Sequence, residues 1–543
     1  MRPSCAWSPD RAPSGRKSWL NWQTATRPSS PPWKRSRHGP ASTVIRPEST
    51  AMTMPLYMLA DDLAGAHDVA VPFVKQGFAV AVPTGPDRLD RFDAADLIVL
   101  NTDTRSCGET EAAMRVGVAC KAIRARSGAL IYKKIDSTLR GHVGLEINLV
   151  SDIMGFGLVV CAPAFPEMGR TTVGGYQLLH GVPVRCQDLV GPDIPPQHAF
   201  IPDLLDNGPG RARTHIDLKT VHGGSITICK ALARIKAASG TSVVVDMDDP
   251  TGWDGLLDAI LEVHETSEER QSSASAADSA LVADSVLLCG SGGMAGALAE
   301  RLALTWKPRT ATSRSLRPSS WMPRVAATAP PLKDGPVLVF ACSLHDTTVR
   351  QVEEASSRKS ITICPFDPMS FVDERESRGE VDRLTTSVAE VMGKGRNAVV
   401  TPKRPGRPQL QTWLERLSEK TPGRDPASVV LENLGEVARR LFVAVDPGGI
   451  VLTGGETAGS VFRTLDSDGA WIQGRIEPGV AHAVVAGGPR NGMGLVIKPG
   501  SFGDQHTLAK AVACLSPRGV DTKAGDTPVG TTGPAGKRAT GNL

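Results

Sequence analysis

Polar and charged residues follow four short apolar runs in the first half of the 543-residue chain. If these runs are buried strands, the polar residues lie at strand ends, where open parallel sheets bind ligands. Arginine suits bidentate binding of a carboxylate, and aspartate suits hydroxyl groups as a hydrogen-bond acceptor or as a base. The pattern therefore predicts a site for a small, anionic, hydroxylated molecule. Its candidate residues are Asp61, Asp62, Asp136, Ser137, Arg140 and Arg170.

Each of these residues also has a simpler interpretation. Asp61 could cap the helix that follows it, since Asp is favoured at the N-cap position. Asp136 and Ser137 could belong to an ordinary turn, and a lone arginine is more often a solvated surface charge. Their shared placement after apolar runs is what favours a functional interpretation.

Glycine-rich turns follow strand-like runs in the second half. Thr453-Gly-Gly-Glu-Thr-Ala458 comes after the run 450–452 and opens a helical pattern. Such a turn presents free backbone N–H groups and the positive end of a helix dipole, which suits phosphate. Similar turns lie at 487–489 and 498–503, and Gly290-Ser-Gly-Gly293 is a fourth near the middle of the chain. None has the spacing of a dinucleotide fingerprint, and no P-loop motif occurs.

Composition excludes several classes of protein. The formal net charge is only +4, so nothing points to nucleic acid as a global partner. The ten cysteines are scattered without a CxxC pair, which argues against a disulfide scaffold or zinc ribbon and favours a reducing cytoplasm. No apolar stretch reaches the roughly 18–20 residues of a membrane span, so no membrane association is expected.

The elements that position these residues alternate between apolar runs and helical patterns. Alternating strands and helices predict an α/β fold with two domains, each a mostly parallel sheet flanked by helices. The predicted strands are 56–60, 78–82, 97–100, 129–132, 158–161, 242–245 and 286–288, followed by 336–340, 361–364, 399–400, 450–452, 483–485 and 494–497.

Three segments lack this pattern. Residues 1–53 are rich in Arg, Pro, Ser and Trp without a helical or strand period, which predicts a disordered extension. A targeting peptide is the alternative, and translation from Met52 or Met54 would remove the segment. Residues 305–333 are predicted to be a linker and 517–543 a disordered tail, which leaves domains at 54–304 and 334–516.

Several phrases of the chain resemble one family. Ala60-Asp-Asp-Leu-Ala-Gly-Ala66, Lys133-Lys-Ile-Asp-Ser-Thr-Leu-Arg-Gly141, Pro163-Ala-Phe-Pro-Glu-Met-Gly-Arg170 and Gly175-Tyr-Gln-Leu-Leu-His-Gly-Val-Pro183 resemble the sugar-binding N-terminal domain of the four-carbon acid sugar kinases. Leu452-Thr-Gly-Gly-Glu-Thr-Ala458 and Lys498-Pro-Gly-Ser-Phe-Gly503 resemble that family's nucleotide-binding C-terminal domain. The resemblance covers about residues 55–515.

The resemblance implies a kinase that uses ATP and Mg²⁺ to phosphorylate threonate, erythronate or a 3-oxo-tetronate. The resemblance places Asp62, Asp136, Ser137, Arg140 and Arg170 at the substrate side, and it assigns no metal ligand. The need for a proton acceptor predicts Asp62 or Asp136 as the base. Asp61 is added to the predicted substrate-binding residues Ser137, Arg140 and Arg170 because it follows the first strand. The implied nucleotide-binding residues are Ser343, Gly454, Gly455, Glu456, Thr457 and Gly500.

The chain departs from the family pattern at three places. Ala64 stands where the first motif usually has Thr, and Phe340-Ala-Cys-Ser-Leu344 replaces a Gly-Ser-Cys-Ser-like turn. Residues 305–333 do not resemble the family.

Two other functions fit the residues less well: a nicotinamide-dependent dehydrogenase of a small hydroxy acid, and a non-catalytic sugar-acid sensor. The expected partners are small molecules, and a homo-oligomer is left open.

Overall fold

A computed structural model describes residues 56–126, 130–186, 195–205, 213–236, 241–272, 286–305, 329–406 and 409–516. The predicted extension 1–53 and tail 517–543 lie outside these residues, as does most of the predicted linker 305–333. The proposed domain boundaries therefore stay predictions.

The described residues of the first half contain eleven strands and eight helices. The strands are β1 (Leu56–Ala60), β2 (Val80–Pro83), β3 (Leu97–Asn101), β4 (Ile131–Lys134), β5 (Leu158–Ala162), β6 (Arg170–Val173), β7 (Tyr176–Leu179), β8 (Val182–Pro183), β9 (Arg213–Ile216), β10 (Thr241–Val245) and β11 (Val286–Gly290). The helices are α1 (Leu63–Lys75), α2 (Glu109–Arg124), α3 (Val143–Met154), α4 (Ile201–Leu204), α5 (Leu218–His222), α6 (Ser225–Lys236), α7 (Gly252–Ser272) and α8 (Gly292–Thr305).

The described residues of the second half contain seven strands and seven helices. The strands are β12 (Val337–Ala341), β13 (Ile361–Phe366), β14 (Asn397–Pro402), β15 (Gly449–Thr453), β16 (Gly469–Glu477), β17 (Val480–Ala486) and β18 (Gly494–Lys498). The helices are α9 (Asp346–Ser356), α10 (Pro368–Val372), α11 (Ser377–Gly393), α12 (Leu410–Lys420), α13 (Pro426–Ala444), α14 (Gly455–Phe462) and α15 (Thr507–Leu515).

Fifteen of these strands form one sheet with two mostly parallel parts, which confirms the predicted α/β class. Its order is β13-β14-β12-β15-β18-β17-β16-β2-β3-β1-β4-β11-β5-β10-β9. The antiparallel hairpin β16–β17 joins the two parts, since β17 pairs with β18 and β16 pairs with β2, where Trp471 lies opposite Ala81. The two predicted sheets are therefore continuous at their edges, a connection that the sequence pattern did not predict.

The central parallel strands of the sheet are mostly apolar because helices cover both faces. In β1, Met58 packs into the apolar cluster on one face, while Tyr57 and Leu59 pack into the cluster on the other. All five residues of β1, β12 and β15 are buried. None of the described helices is long and apolar enough to cross a membrane.

Strand register brings the polar residues of the first half to one edge of the sheet. Ala60, the last residue of β1, is level with Asn101 of β3 and with Lys134 of β4. In the second half, Thr453 at the end of β15 is level with Lys498 of β18. Residues that follow these positions therefore gather beyond the carboxyl ends of the strands.

Candidate active site

A cavity of about 520 Å³ lies beyond the carboxyl ends of strands from both parts of the sheet. Every residue predicted from the sequence contributes to its wall. From the first half these are Asp61, Asp62, Asp136, Ser137, Arg140 and Arg170, and from the second half Ser343, Gly454, Gly455, Glu456, Thr457 and Gly500. The structure thus brings together the two predicted sets, whereas the role of each residue stays a prediction.

Arg105 fixes the two aspartates that follow β1. Its Nε and Nη2 donate to the two carboxylate oxygens of Asp61, each at 2.8 Å, and Nη2 also lies 2.7 Å from Oδ1 of Asp62. Burial alone would raise the pKa of Asp61, but the charge and hydrogen bonds of Arg105 offset burial and leave that pKa lowered. Asp61 therefore holds Arg105, a residue that the sequence did not single out as part of the site.

Asp62 divides its two carboxylate oxygens between different neighbours. Oδ1 accepts a hydrogen bond of 2.9 Å from the backbone N–H of Gly65, so Asp62 is the N-cap of α1. The interpretation that Asp61 caps this helix is therefore wrong. Oδ2 lies 2.7 Å from the position that a Cβ on Gly455 would occupy. Asp62 thus faces the glycine turn across the cavity.

Asp136 is committed to an ion pair with Arg140. The Nε of Arg140 lies 2.7 Å from Oδ2 and Nη2 lies 3.1 Å from Oδ1, while Thr138 donates its hydroxyl to Oδ2. Burial by itself would raise the pKa of Asp136, yet the charges of Arg140 and Arg105 hold it well below its usual range. A carboxylate so stabilised is a weak proton acceptor.

Arg170 keeps an unused donor at the wall of the cavity. Its Nη1 donates to the backbone oxygen of Met168 at 2.5 Å, whereas its buried Nε has no hydrogen-bond partner within the described residues. Burial lowers the pKa of Arg170, and the charge of Asp136 acts in the opposite direction. Buried donors are rarely left unsatisfied, so this guanidinium suits an anionic ligand.

Ser137 also reaches the cavity wall, and its position is set by the backbone. Its carbonyl oxygen accepts a 2.7 Å hydrogen bond from Nε2 of Gln177 in the small antiparallel sheet β6–β8. Arg170 is the first residue of that sheet, so the three-stranded sheet positions both Ser137 and Arg170.

Two glycine turns form the opposite wall. Gly454 has a φ of 93° and leads directly into α14, whose first residue is Gly455. A Cβ on Gly500 would lie 2.0 Å from Oγ of Ser343, so only glycine fits between these turns. Backbone N–H groups at the start of this eight-residue helix, which has no side-chain cap, suit a phosphate group.

The other two glycine turns differ in position. Gly487 and Gly488 have positive φ values and pack closely on Asp468 and on the backbone of Asp466, away from the cavity wall. They serve the geometry of the loop after β17. Gly292 of the Gly290–Gly293 turn does line the cavity.

An apolar wall extends the cavity beyond the glycine turns, and sequence reasoning missed it. It comes from α12, α13 and the ends of β13 and β14, with Phe366, Pro402, Trp413, Leu417, Val430 and Leu434 among its residues. Flat apolar surfaces with an aromatic ring suit the base of a nucleotide. The spacing of Trp413 and Leu417 was visible in the sequence, but it is equally typical of residues that pack into a core.

Two family models match the chain in succession. A sugar-binding N-terminal domain matches residues 56–298, and a nucleotide-binding C-terminal domain matches residues 338–508. The chain belongs to the four-carbon acid sugar kinase family. This membership supports a phosphotransferase and argues against the dehydrogenase alternative.

Curated relatives of this four-carbon acid sugar kinase span almost the whole described chain. A D-erythronate kinase of Heliobacterium modesticaldum is 26% identical over 84% of this chain and 96% of its own length. A D-threonate kinase of Salmonella typhimurium is 26% identical over 84% and 98%. A 3-oxo-tetronate kinase of Pseudomonas fluorescens is 27% identical over 84% and 96%.

A solved structure of a Salmonella typhimurium protein shares the fold. It superposes with a TM-score of 0.61 at 19% identity and covers 84% of this chain and 98% of its own. The comparison therefore supports the fold of the kinase and carries no further argument about activity.

Within the described residues, no group of three or more His, Cys, Asp or Glu side chains could hold a metal. Glu456 in the first turn of α14 is the acidic residue of the phosphate turn. Mg²⁺ commonly binds through one or two carboxylates together with phosphate oxygens and water, which fits this family's cavity.

Proposed function

We propose that this protein transfers the γ-phosphoryl group of ATP to a hydroxyl group of a four-carbon sugar acid. The observation that carries the proposal is the contact between Asp62 and the phosphate turn. Oδ2 of Asp62 faces Gly455 at 2.7 Å from the Cβ position, so a base and a phosphate-binding backbone share one point of the cavity. Kinases require that juxtaposition because an acceptor hydroxyl must lie in line with the γ-phosphate.

Asp62, rather than Asp136, is the base in this proposal. Arg140 binds both carboxylate oxygens of Asp136, whereas Arg105 pairs with Asp62 through Oδ1 and the other oxygen of Asp62 faces the phosphate turn. Asp62 would take the proton of the acceptor hydroxyl as that oxygen attacks the γ-phosphorus and ADP leaves. Mg²⁺ held by the phosphates, with Glu456 nearby, would neutralise charge on the transferred group.

The carboxylate of the sugar acid would bind to Arg170 and Arg140. The unpartnered Nε of Arg170 supports this role, since a substrate carboxylate would satisfy it. Arg140 supplies a second guanidinium beside it at the same wall. The nucleotide base would lie against Trp413 and its apolar neighbours.

Three acids are candidates for the acceptor. The curated relatives act on D-erythronate, D-threonate and 3-oxo-tetronate by name, at nearly equal identities to this chain. All three carry one carboxylate and hydroxyl groups on a four-carbon chain, which matches the proposed arginine and aspartate contacts. We expect the enzyme to act on free small molecules in the cytoplasm.

An ADP-release assay with each acid tests the function. We expect acid-dependent ADP release with at least one of the three, and phosphorylated acid as the product. Arg170→Ala should raise KM for the acid about tenfold or more, because a charge-assisted hydrogen bond contributes about 1.5–3 kcal/mol. Its affinity for ATP should stay unchanged, because Arg170 lies at the opposite wall.

Arg124→Ala is the matched control. Arg124 lies on α2 outside the cavity wall, and its Nη1 donates to the backbone oxygen of Ile153. Failure of all three acids to stimulate ADP release would overturn the proposed function. An unchanged KM in Arg170→Ala would overturn the assignment of the carboxylate site.

A further inference from the structure

We infer that Lys134 is a further catalytic residue, whose ammonium group contacts the phosphoryl group as it passes to the acceptor hydroxyl. This inference rests on the proposed function of the same cavity. Neither the sequence motifs nor the ion pairs of the site assign a role to this lysine.

The strand register places Lys134 at the centre of the acceptor side. It is the last residue of β4, level with Ala60 of β1 on one side and with Gly290 of β11 on the other. The loops that follow those two residues carry Asp62 and Gly292, and both line the cavity. Lys134 lines it as well, although only 5% of its surface is exposed.

The ammonium group of Lys134 forms no ion pair with a carboxylate of the described residues, although, against the effect of burial, its charge acts to lower the pKa of nearby Asp61 and Asp68. Its Nζ donates to the backbone oxygen of Ile135 at 3.0 Å, and it forms no ion pair within 4.0 Å among the described residues. The adjacent Lys133 differs, since its Nζ lies 2.6 Å from Oε2 of buried Glu146. An ammonium has three donors, so Lys134 retains the capacity to bind a ligand anion.

Gly65 shows how close this ammonium lies to the base. A Cβ on Gly65 would be 2.4 Å from Oδ1 of Asp62 and 3.4 Å from Nζ of Lys134. The two side chains therefore converge on the same turn of α1, and the other oxygen of Asp62 faces Gly455. The uncommitted cation, the base and the phosphate turn adjoin one another.

The other cations at this wall have other assignments. Arg105 pairs with both Asp61 and Asp62, Arg140 pairs with Asp136, and Arg170 together with Arg140 is assigned to the carboxylate of the acid. Lys134 is thus the buried cation beside Asp62 whose charge can act on an incoming group.

The transfer step gives this charge a defined role. A bond forms between the acceptor oxygen and the γ-phosphorus, and the bond from that phosphorus to the β–γ bridging oxygen breaks. The hydroxyl proton passes to Asp62, while Lys134 keeps its protons throughout. Negative charge spreads over the oxygens of the transferred group during the step, and a fixed cation lowers the barrier by stabilising it.

Lys134→Met tests the inference because Met keeps the length of the side chain and removes its charge. We expect kcat to fall about 100-fold or more, the loss typical of one removed oxyanion donor. The KM of the acid and the affinity for ATP by calorimetry should change less than about threefold on the same reasoning. Lys121→Met, on α2 outside the cavity wall, is the matched control and should behave as wild type.

A rescue experiment separates a chemical role from a structural one. In Lys134→Ala, added methylamine should restore part of the lost kcat, because a free ammonium can occupy the vacated space. Melting temperature and ATP binding identify variants that remain folded, and Lys134→Gln is measured alongside in case Met or Ala disturbs the fold.

The outcomes distinguish this inference from the proposed function. Wild-type activity combined with an unchanged kcat in folded Lys134→Met or Lys134→Gln would overturn the role of Lys134 alone. An increase in acid KM at constant kcat would do the same, since it would place the lysine in ground-state binding. Absence of acid-dependent ADP release by the wild-type chain would overturn the proposed function itself.

Discussion

The two walls of the cavity are built in different ways. On the acid side, charged side chains are fixed by one another, as in the contacts of Arg105 with Asp61 and Asp62. On the nucleotide side, the backbone turns exclude side chains, since Gly454 has a φ of 93° and a Cβ on Gly500 would lie 2.0 Å from Oγ of Ser343. The first wall should therefore be sensitive to the removal of side chains, and the second to their addition.

Two buried cations, one on each side of the cavity, differ in the same way in how burial and neighbouring charges affect their pKa values. Burial by itself lowers the pKa of Arg105, but Asp61 and Asp62 raise it well above its usual value. Lys498 is the last residue of the nucleotide-side strand β18, is fully buried, and donates from Nζ to the backbone oxygen of Pro499 at 2.9 Å. Burial lowers the pKa of Lys498 to about 7, with only a partial opposing effect from Glu477. A buried cation that pairs with carboxylates thus keeps its charge, whereas burial without such a partner disfavours the charged form.

Arg105→Met should give the largest loss of stability. It leaves the carboxylates of Asp61 and Asp62 buried without their cation, and breaking a buried ion pair typically costs about 3–5 kcal/mol. Urea unfolding measures the change in the free energy of unfolding. The control is Arg126→Met, since Arg126 pairs with the exposed Asp90 and Asp93 and should contribute about 1 kcal/mol or less. Equal effects of the two substitutions would contradict the contrast.

Lys498→Met should have the opposite effect on stability and raise the free energy of unfolding. An unfolded lysine has a pKa of about 10.4, whereas the folded value is about 7. Between these values the unfolded chain binds more protons, so the contribution of Lys498 to stability rises with pH and is least favourable at pH 7 and below. Each pKa unit corresponds to about 1.4 kcal/mol, so Met should stabilise the protein at pH 7 by on the order of 4 kcal/mol.

The pH dependence separates this effect from a change in packing. Unfolding in urea at pH 7, 8.5 and 10 should show the difference between Lys498→Met and wild type shrinking as pH rises. A difference that stays constant over this range would show that Lys498 is charged in the folded protein.

Much of the fold could be predicted because parallel, doubly covered strands are apolar throughout. The strands that were missed lack this property. Arg213–Ile216 is the terminal strand β9 with polar residues at three of its four positions, and in the hairpin strand Gly469–Glu477 only the three residues 470–472 form an apolar run. An apolar run so short, followed by polar residues and Gly474, is difficult to separate from a loop.

The site could be predicted as a set of strand ends but not as a set of contacts. Residues that follow β1, β4 and β15 reach the cavity because the strand register aligns the carboxyl ends of neighbouring strands. The partner of Asp61 is Arg105, 44 positions away. Only the folded chain shows that these two residues form an ion pair with each other rather than binding a ligand separately. The apolar wall at Trp413 was missed because a helix face that binds a ligand and one that packs into a core share the same period.

Gly455→Val tests the second wall, with a smaller expected effect than the two substitutions of buried cations. The first atom of the new side chain would lie 2.7 Å from Oδ2 of Asp62, so either the turn or Asp62 must move. We expect about a tenfold loss of ATP affinity, near the lower end of the 1–3 kcal/mol typical of overpacking, and a larger loss of kcat because the base is displaced. Affinity for the acid should change little, since Arg140 and Arg170 lie away from Gly455.

The control is Gly379→Val on α11, where a Cβ would meet no atom within 4 Å. Calorimetric titration with ATP and with the acid decides the matter, because full ATP affinity in folded Gly455→Val would exclude this turn as the phosphate site.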